Sequence, residues 1–94
     1  MALILVIEDK ARVREHVLQI LRFEGFETAG AADGEAGLDL IQKLLPDLII
    51  CDIMLPGIDG FEVLETLRQN PACSTIPLIF LTGVGDSESV RRGM

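Results

Sequence analysis

Four oxygen-bearing side chains each follow an apolar run of the sequence. Glu8 and Asp9 come directly after one run, Asp52 comes after a second, and Thr82 comes after a third. In open α/β sheets, functional sites lie outside the carboxyl ends of the strands. If the three runs are parallel strands, three carboxylates and one hydroxyl meet at a single edge of the sheet.

Such a group of side chains suits phosphoryl transfer assisted by a metal ion. Carboxylates that lie close together repel one another, and either a proton or a bound cation relieves the repulsion. Mg²⁺ fits because it takes oxygen ligands and retains several water molecules. A carboxylate can attack phosphorus and form an aspartyl phosphate, while the cation neutralises the phosphoryl group.

Strand and helix patterns alternate along the chain, with short loops between them. The strand patterns cover residues 3–7, 26–31, 47–51 and 76–81. The helical patterns cover residues 11–24, the stretch from the N-cap Asp33 to Pro46, the stretch from the capping box of Asp59 and Glu62 to Asn70, and a last helix that starts at Asp86. This alternation predicts an α/β fold with a doubly wound parallel sheet.

The bulk properties limit what the chain can do. Its 94 residues allow one domain, and the 49% apolar content predicts a packed core. The net charge of −7 and the lack of a basic cluster beyond Arg91-Arg92 argue against direct nucleic-acid binding. No apolar run approaches the roughly 20 residues of a membrane span. We expect a soluble, cytoplasmic protein.

The histidine and the cysteines are too few for a zinc site. Cys51, Cys73 and His16 are the only residues of these types. Cys51 lies in an apolar run and is expected to pack as a small hydrophobic side chain. The helical pattern places His16 and the neighbouring polar residues, Arg14 among them, on the side facing solvent.

Three stretches of the sequence resemble one known family. An apolar first strand runs into Glu8-Asp9, the stretch DLIICDIMLPGIDGFE surrounds Asp52, and the stretch IPLIFLT ends at Thr82. Together they resemble the receiver domain of two-component response regulators, and the resemblance covers the whole chain. It implies a flavodoxin-like receiver fold over residues 1–94, with strand order 2-1-3-4.

The resemblance also implies a role for each site residue. Asp52 would be the phosphoacceptor, and Thr82 would hydrogen-bond a phosphoryl oxygen. Asp9, Asp52 and the backbone carbonyl of Met54 would bind Mg²⁺, while Glu8 would hold a water molecule on the metal. The phosphoryl donor would be a histidine kinase or a phosphotransfer protein.

The chain departs from the family pattern at its end. The family has a lysine after a fifth strand, and this chain ends at Met94 before that point. We therefore expect a receiver that lacks its last strand and helix, with impaired phosphoryl transfer. Lys10 could reach the rim of the site, although loop lysines are more often solvated. The open flank of residues 76–81 predicts a homodimer or a strand-exchanged oligomer.

Two other functions compete with the switch. A pseudo-receiver would bind a partner protein without phosphorylation, and this alternative stays open. A phosphatase with an aspartate nucleophile usually needs a second acid two residues later, and Met54 stands there instead. We therefore expect no enzyme with a separate substrate, only self-phosphorylation and self-dephosphorylation.

Overall fold

The computed structural model describes residues 2–81 of the chain. The strands are β1 (Leu3–Ile7), β2 (Glu27–Ala31), β3 (Leu48–Asp52) and β4 (Leu78–Leu81), and the helices are α1 (Ala11–Phe23), α2 (Gly34–Leu44) and α3 (Gly60–Gln69). Within this range, no helix is long and apolar enough to span a bilayer. The predictions for Thr82, for a helix from Asp86 and for the end of the chain lie outside the described residues.

The four strands form one parallel sheet in the order β2-β1-β3-β4. The predicted order 2-1-3-4 is therefore confirmed. Ile7 at the end of β1 pairs with Ala31 of β2 and with Cys51 of β3. This register brings the carboxyl ends of β1 and β3 level with each other.

The helices cover both faces of the sheet. Gly30 pairs with Val6 of β1, and a Cβ atom at Gly30 would lie 3.1 Å from Cδ1 of Leu18 in α1. Gly37 of α2 packs directly against Ile7. Since Val6 and Ile7 point to opposite faces of a strand, α1 and α2 lie on opposite sides of the sheet. The doubly wound arrangement is confirmed.

The helix starts follow the sequence signals. Asp33 accepts a hydrogen bond from the backbone N–H of Ala36, and it caps α2. Asp59 and Glu62 form the predicted capping box at the start of α3, because each side chain accepts from the backbone N–H of the other. These caps fix where the loops at the carboxyl edge of the sheet end.

A cluster of buried apolar side chains lies between the sheet and the helices α2 and α3. Its members are Leu5, Ile7, Ala31, Ile41, Ile49, Cys51, Leu55, Val63, Leu67 and Cys73. Both cysteines are buried and free, which agrees with the packing role expected for Cys51. The burial of β1 and β3 on this side makes the sheet a rigid base for the residues at its edge.

The structure corrects the prediction for the fourth strand. β4 begins at Leu78 rather than at residue 76, because the guanidinium of Arg68 donates to the carbonyls of Ser74 and Ile76 and holds that segment as a loop. Ile79 is 54% exposed, so β4 is not buried on both faces within the described part of the chain. Among the described strands β4 is an edge strand, as the predicted open flank of residues 76–81 requires.

Candidate functional site

Glu8 lies at the end of β1 and is held in place by backbone contacts. Its N–H donates to the carbonyl of Ala31 at 3.0 Å, which joins the ends of β1 and β2. Its carboxylate accepts a hydrogen bond from the N–H of Lys10 at 2.9 Å. The residue is only 1% exposed. A buried carboxylate therefore starts the loop that also carries Asp9.

Asp52 is the last residue of β3 and is 2% exposed. The sequence pattern placed it in the following loop, but it pairs with Leu81 and so belongs to the strand. One carboxylate oxygen accepts from the N–H of Met54 over a long distance of 3.4 Å. The thiol of Cys51 donates to the carbonyl of Asp52 at 3.3 Å. The strand therefore fixes the backbone of Asp52, while its carboxylate is only weakly bonded.

The start of α3 packs against the backbone that carries Asp52. The N–H of Gly60 donates to the carbonyl of Ile53 at 2.8 Å. A Cβ atom at Gly60 would lie 2.5 Å from the carbonyl oxygen of Asp52 and 2.8 Å from Cα of Ile53. Real Cβ atoms do not approach backbone so closely, so only glycine permits this packing.

Glu8, Asp9 and Asp52 come together as the sequence predicted. Each offers one carboxylate oxygen, and these oxygens all lie within 4.8 Å of one another. Two ligand oxygens on opposite sides of Mg²⁺ lie about 4.2 Å apart, since each bond is about 2.1 Å long. Asp9 is exposed and is free to make the small approach that this requires. The donor set, all oxygen and all anionic, fits a hard divalent cation.

The pKa of Glu8 differs from that of an ordinary glutamate. Burial raises the pKa of Glu8, and the nearby carboxyls of Asp9 and Asp52 raise it further, against the lowering effect of Lys10. Burial also raises the pKa of the Cys51 thiol to about 12. The Cys51 thiol therefore stays protonated at neutral pH, which agrees with a packing role.

Of the remaining residues discussed for the site, Met54 and His16 lie within the described part of the chain. The side chain of Met54 is 66% exposed, and its backbone N–H faces Asp52. Its role as a carbonyl ligand stays a prediction, as does the role of Thr82. His16 is exposed on α1, as expected.

Sequence reasoning missed one residue beside the site. Arg14 was expected to face solvent, but its Nη1 donates to the backbone carbonyl of Glu8 at 2.7 Å. Arg14 stands one helical turn after Lys10, at the end of α1 nearest the site, and its position on the polar side of the helix gave no signal of this contact.

The fold and the site together define a class of protein. The three acids lie between β1 and β3, where the strand order reverses, and this is the usual ligand position in doubly wound sheets. The chain belongs to the response regulator receiver domain family, whose family model matches residues 4–94.

Curated relatives carry the same segment as part of longer proteins. The chain is 41% identical over 91 residues to the DNA-binding response regulator MtrA of Mycobacterium tuberculosis, covering 97% of this chain and 39% of the relative. It is 36% identical to the phosphate regulon transcriptional regulatory protein PhoB of Klebsiella pneumoniae, covering 97% of this chain and 40% of the relative. The chain thus spans about two fifths of the length of these relatives.

Solved structures share the fold. A putative response regulator from Chloroflexus aurantiacus superposes with a TM-score of 0.84 at 40% identity, over 98% of this chain and 75% of that one. The chemotaxis response regulator CheY4 of Vibrio cholerae gives 0.84 at 31% identity, over 96% of this chain and 76% of that one. The expected flavodoxin-like receiver fold is therefore confirmed.

Proposed function

We propose that this chain is a phosphorylation-dependent switch of a two-component system, which accepts a phosphoryl group on Asp52 from a histidine kinase or a phosphotransfer protein. The observation that carries the proposal is the position of Asp52. Its buried carboxylate ends β3 and shares one small space with Glu8 and Asp9. Membership of the receiver family supports the same function.

In the proposed reaction the carboxylate of Asp52 is the nucleophile. One of its oxygens attacks phosphorus, the P–N bond of the donor phosphohistidine breaks, and the imidazole nitrogen leaves with the electron pair and then takes a proton. Asp9, Asp52 and the carbonyl of Met54 would hold Mg²⁺, and Glu8 would hold the ion through a water molecule. When bound, the ion supplies positive charge that offsets the repulsion between the carboxylates and the incoming phosphoryl group.

The chain's own groups keep Asp52 reactive. The strand and the bond from Gly60 to the carbonyl of Ile53 fix the backbone on both sides of the nucleophile. The bond from Met54 to the carboxylate is long, so little hydrogen bonding has to be broken before attack. In this proposal Thr82 binds a phosphoryl oxygen, and the chain acts in the cytoplasm on no separate substrate and without contacting nucleic acid.

One observation favours a second function. The 94 residues contain only two lysines, and Lys43 pairs with Asp39 at 3.8 Å on the exposed side of α2. The cation that receivers use to bind the phosphoryl group is therefore not supplied by Lys43. A pseudo-receiver, which binds a partner protein without phosphorylation, would not need this lysine.

Intact-mass measurement after incubation with acetyl phosphate and Mg²⁺ separates the two functions. We expect one added phosphoryl group on the wild-type chain and none on Asp52→Asn. Asp39→Asn is the matched control, since it removes an exposed carboxylate far from the acidic cluster, and it should be labelled like wild type. No addition to the wild-type chain would favour the pseudo-receiver.

We also propose that the chain self-associates through β4. Ile79 exposes an apolar side chain on a strand that has no partner on its outer side among residues 2–81. In sedimentation velocity runs we expect a dimer, and the fraction of dimer should increase with protein concentration. Ile79→Lys should lower that fraction. Leu45→Lys, at another exposed apolar position on the C-cap of α2, should leave it unchanged. A monomer at every concentration would contradict self-association.

A further inference from the structure

The side chain of Arg14 runs from α1 to the loop that carries the acids. Arg14 belongs to the first turns of α1 (Ala11–Phe23), and its guanidinium Nη1 lies 2.7 Å from the backbone oxygen of Glu8. Glu8 stands one residue beyond the end of β1, where the strand ladder stops. A charged donor at this distance makes a strong hydrogen bond.

A glycine makes room for this contact. A Cβ atom at Gly30 of β2 would lie 3.3 Å from Cδ of Arg14, 3.6 Å from its Cγ and 3.1 Å from Cδ1 of Leu18. The aliphatic stem of Arg14 therefore lies across the backbone of β2, and the side chain is half-buried. Its path is constrained by packing, which distinguishes it from a solvated surface arginine.

The contact acts on the peptide that joins two candidate metal ligands. Glu8 is already tied through its N–H to Ala31 and through its carboxylate to the N–H of Lys10. The carbonyl that Arg14 binds belongs to the peptide between Glu8 and Asp9. Fixing that carbonyl fixes the plane of the peptide, and with it the direction in which the backbone leads to Asp9.

We propose that Arg14 is a positioning residue, which orients the Glu8–Asp9 peptide so that both carboxylates face Asp52 and bind Mg²⁺ together. This inference rests on the proposed function of the same site. Groups that orient metal ligands without touching the metal often contribute strongly to affinity, and their loss costs about 10- to 100-fold.

The first experiment measures Mg²⁺ affinity by following backbone amide shifts in NMR titrations of the full chain. Arg14→Ala is expected to raise the dissociation constant about tenfold. Arg14→Lys keeps one donor without the planar fork, so it should fall between wild type and alanine. Arg12→Ala removes an exposed arginine from the same helix and serves as the charge-matched control, with an unchanged constant. Equal affinities for wild type and Arg14→Ala would overturn the inference.

A second readout does not depend on the metal. In the absence of Mg²⁺, Arg14→Ala should shift the amide resonance of Asp9, because that N–H belongs to the peptide whose carbonyl loses its donor. Gly30→Ala, which crowds the stem of Arg14, should shift the same resonance in a chain that keeps the guanidinium. If Arg14→Ala fails to fold, the same resonance is measured in Arg14→Lys and Gly30→Ala. An Asp9 amide resonance unchanged in both variants would overturn the inference.

The phosphorylation of Asp52 is measured on the same samples, so the two proposals can fail separately. Weakened Mg²⁺ binding in Arg14→Ala, with no phosphoryl group on wild-type Asp52, would support the role of Arg14 and contradict the switch. Normal labelling of wild type, with unchanged Mg²⁺ affinity in Arg14→Ala, would support the switch and overturn the role of Arg14. A wild-type chain that binds no Mg²⁺ would overturn both.

Discussion

Replacing Gly60 by alanine is expected to destabilise the fold by about 1–3 kcal/mol or more, and to damage the candidate site at the same time. The added Cβ atom would stand 2.5 Å from the carbonyl oxygen of Asp52 and 2.8 Å from Cα of Ile53. Helix propensity favours alanine by about 1 kcal/mol at most. The backbone clash costs more than this, so the net effect on the free energy of unfolding is destabilising. Thermal unfolding should show a midpoint lower by about 4–8 °C for each kcal/mol lost.

Gly34→Ala is the matched control for this substitution. Gly34 is the first residue of α2, as Gly60 is of α3, but its Cβ atom would meet side-chain atoms of Ile58 and Val63 rather than backbone. Side chains can move aside at smaller cost, so the midpoint should fall less and Mg²⁺ affinity should stay the same. A Gly60→Ala variant that melts like wild type and binds Mg²⁺ equally well would contradict the close packing of α3 on the backbone of Asp52.

Replacing Glu8 by glutamine is expected to change stability and metal affinity in opposite directions. Glu8 is 1% exposed and lies beside two other carboxylates, so its charge destabilises the folded chain when no cation is bound. An amide oxygen can still accept from the N–H of Lys10. In EDTA at pH 7, Glu8→Gln should therefore melt above wild type. In saturating Mg²⁺ the difference should shrink or reverse, because wild type binds the ion more tightly and gains more stability.

The pH dependence follows from the raised pKa of Glu8. The folded chain binds a proton at this group more tightly than the unfolded chain does, for which the ordinary pKa is 4.5. Between pH 4.5 and the raised value, the contribution of this group to the free energy of unfolding therefore rises as the pH falls. In thermal melts of wild type in EDTA, this contribution should raise the midpoint as the pH falls through that range. The melts of Glu8→Gln should lack this contribution.

Glu35→Gln is the control for the loss of one negative charge. Glu35 is exposed in the first turn of α2, where a carboxylate interacts favourably with the helix dipole. Its replacement should lower stability slightly at pH 7 and leave Mg²⁺ affinity unchanged. A Glu8→Gln variant less stable than wild type in EDTA would contradict the crowding of the three acids.

The sequence predicted those features of the fold that depend on local patterns. The caps at Asp33 and Asp59 follow from residue types and spacing, because each signal acts within a few residues. The order of the four strands is not local, and it was predicted from the family resemblance. The meeting of Glu8 with Asp52 could be predicted for a different reason. Parallel strands place their carboxyl ends at one edge, whatever their separation along the chain.

Other features depend on contacts that no local pattern contains. The sequence of β4 is apolar at every position, but the exposure of Ile79 is set by which elements lie beside the strand. The contact of Arg14 with Glu8 needs an open path across Gly30, which only the packing of α1 on β2 supplies. A helical wheel places Arg14 on the polar side of α1 and gives no sign of this contact.

The most direct test of the proposed switch is to locate the phosphoryl group. After incubation with acetyl phosphate and Mg²⁺, borohydride reduction converts an aspartyl phosphate into a stable homoserine, which peptide mass spectrometry can assign to a position. We predict that the converted residue is Asp52 alone, and that fragmentation of the peptides finds Asp9 and Asp59 unchanged. Conversion at another aspartate, or phosphate recovered on His16, would contradict the assignment of Asp52 as the acceptor.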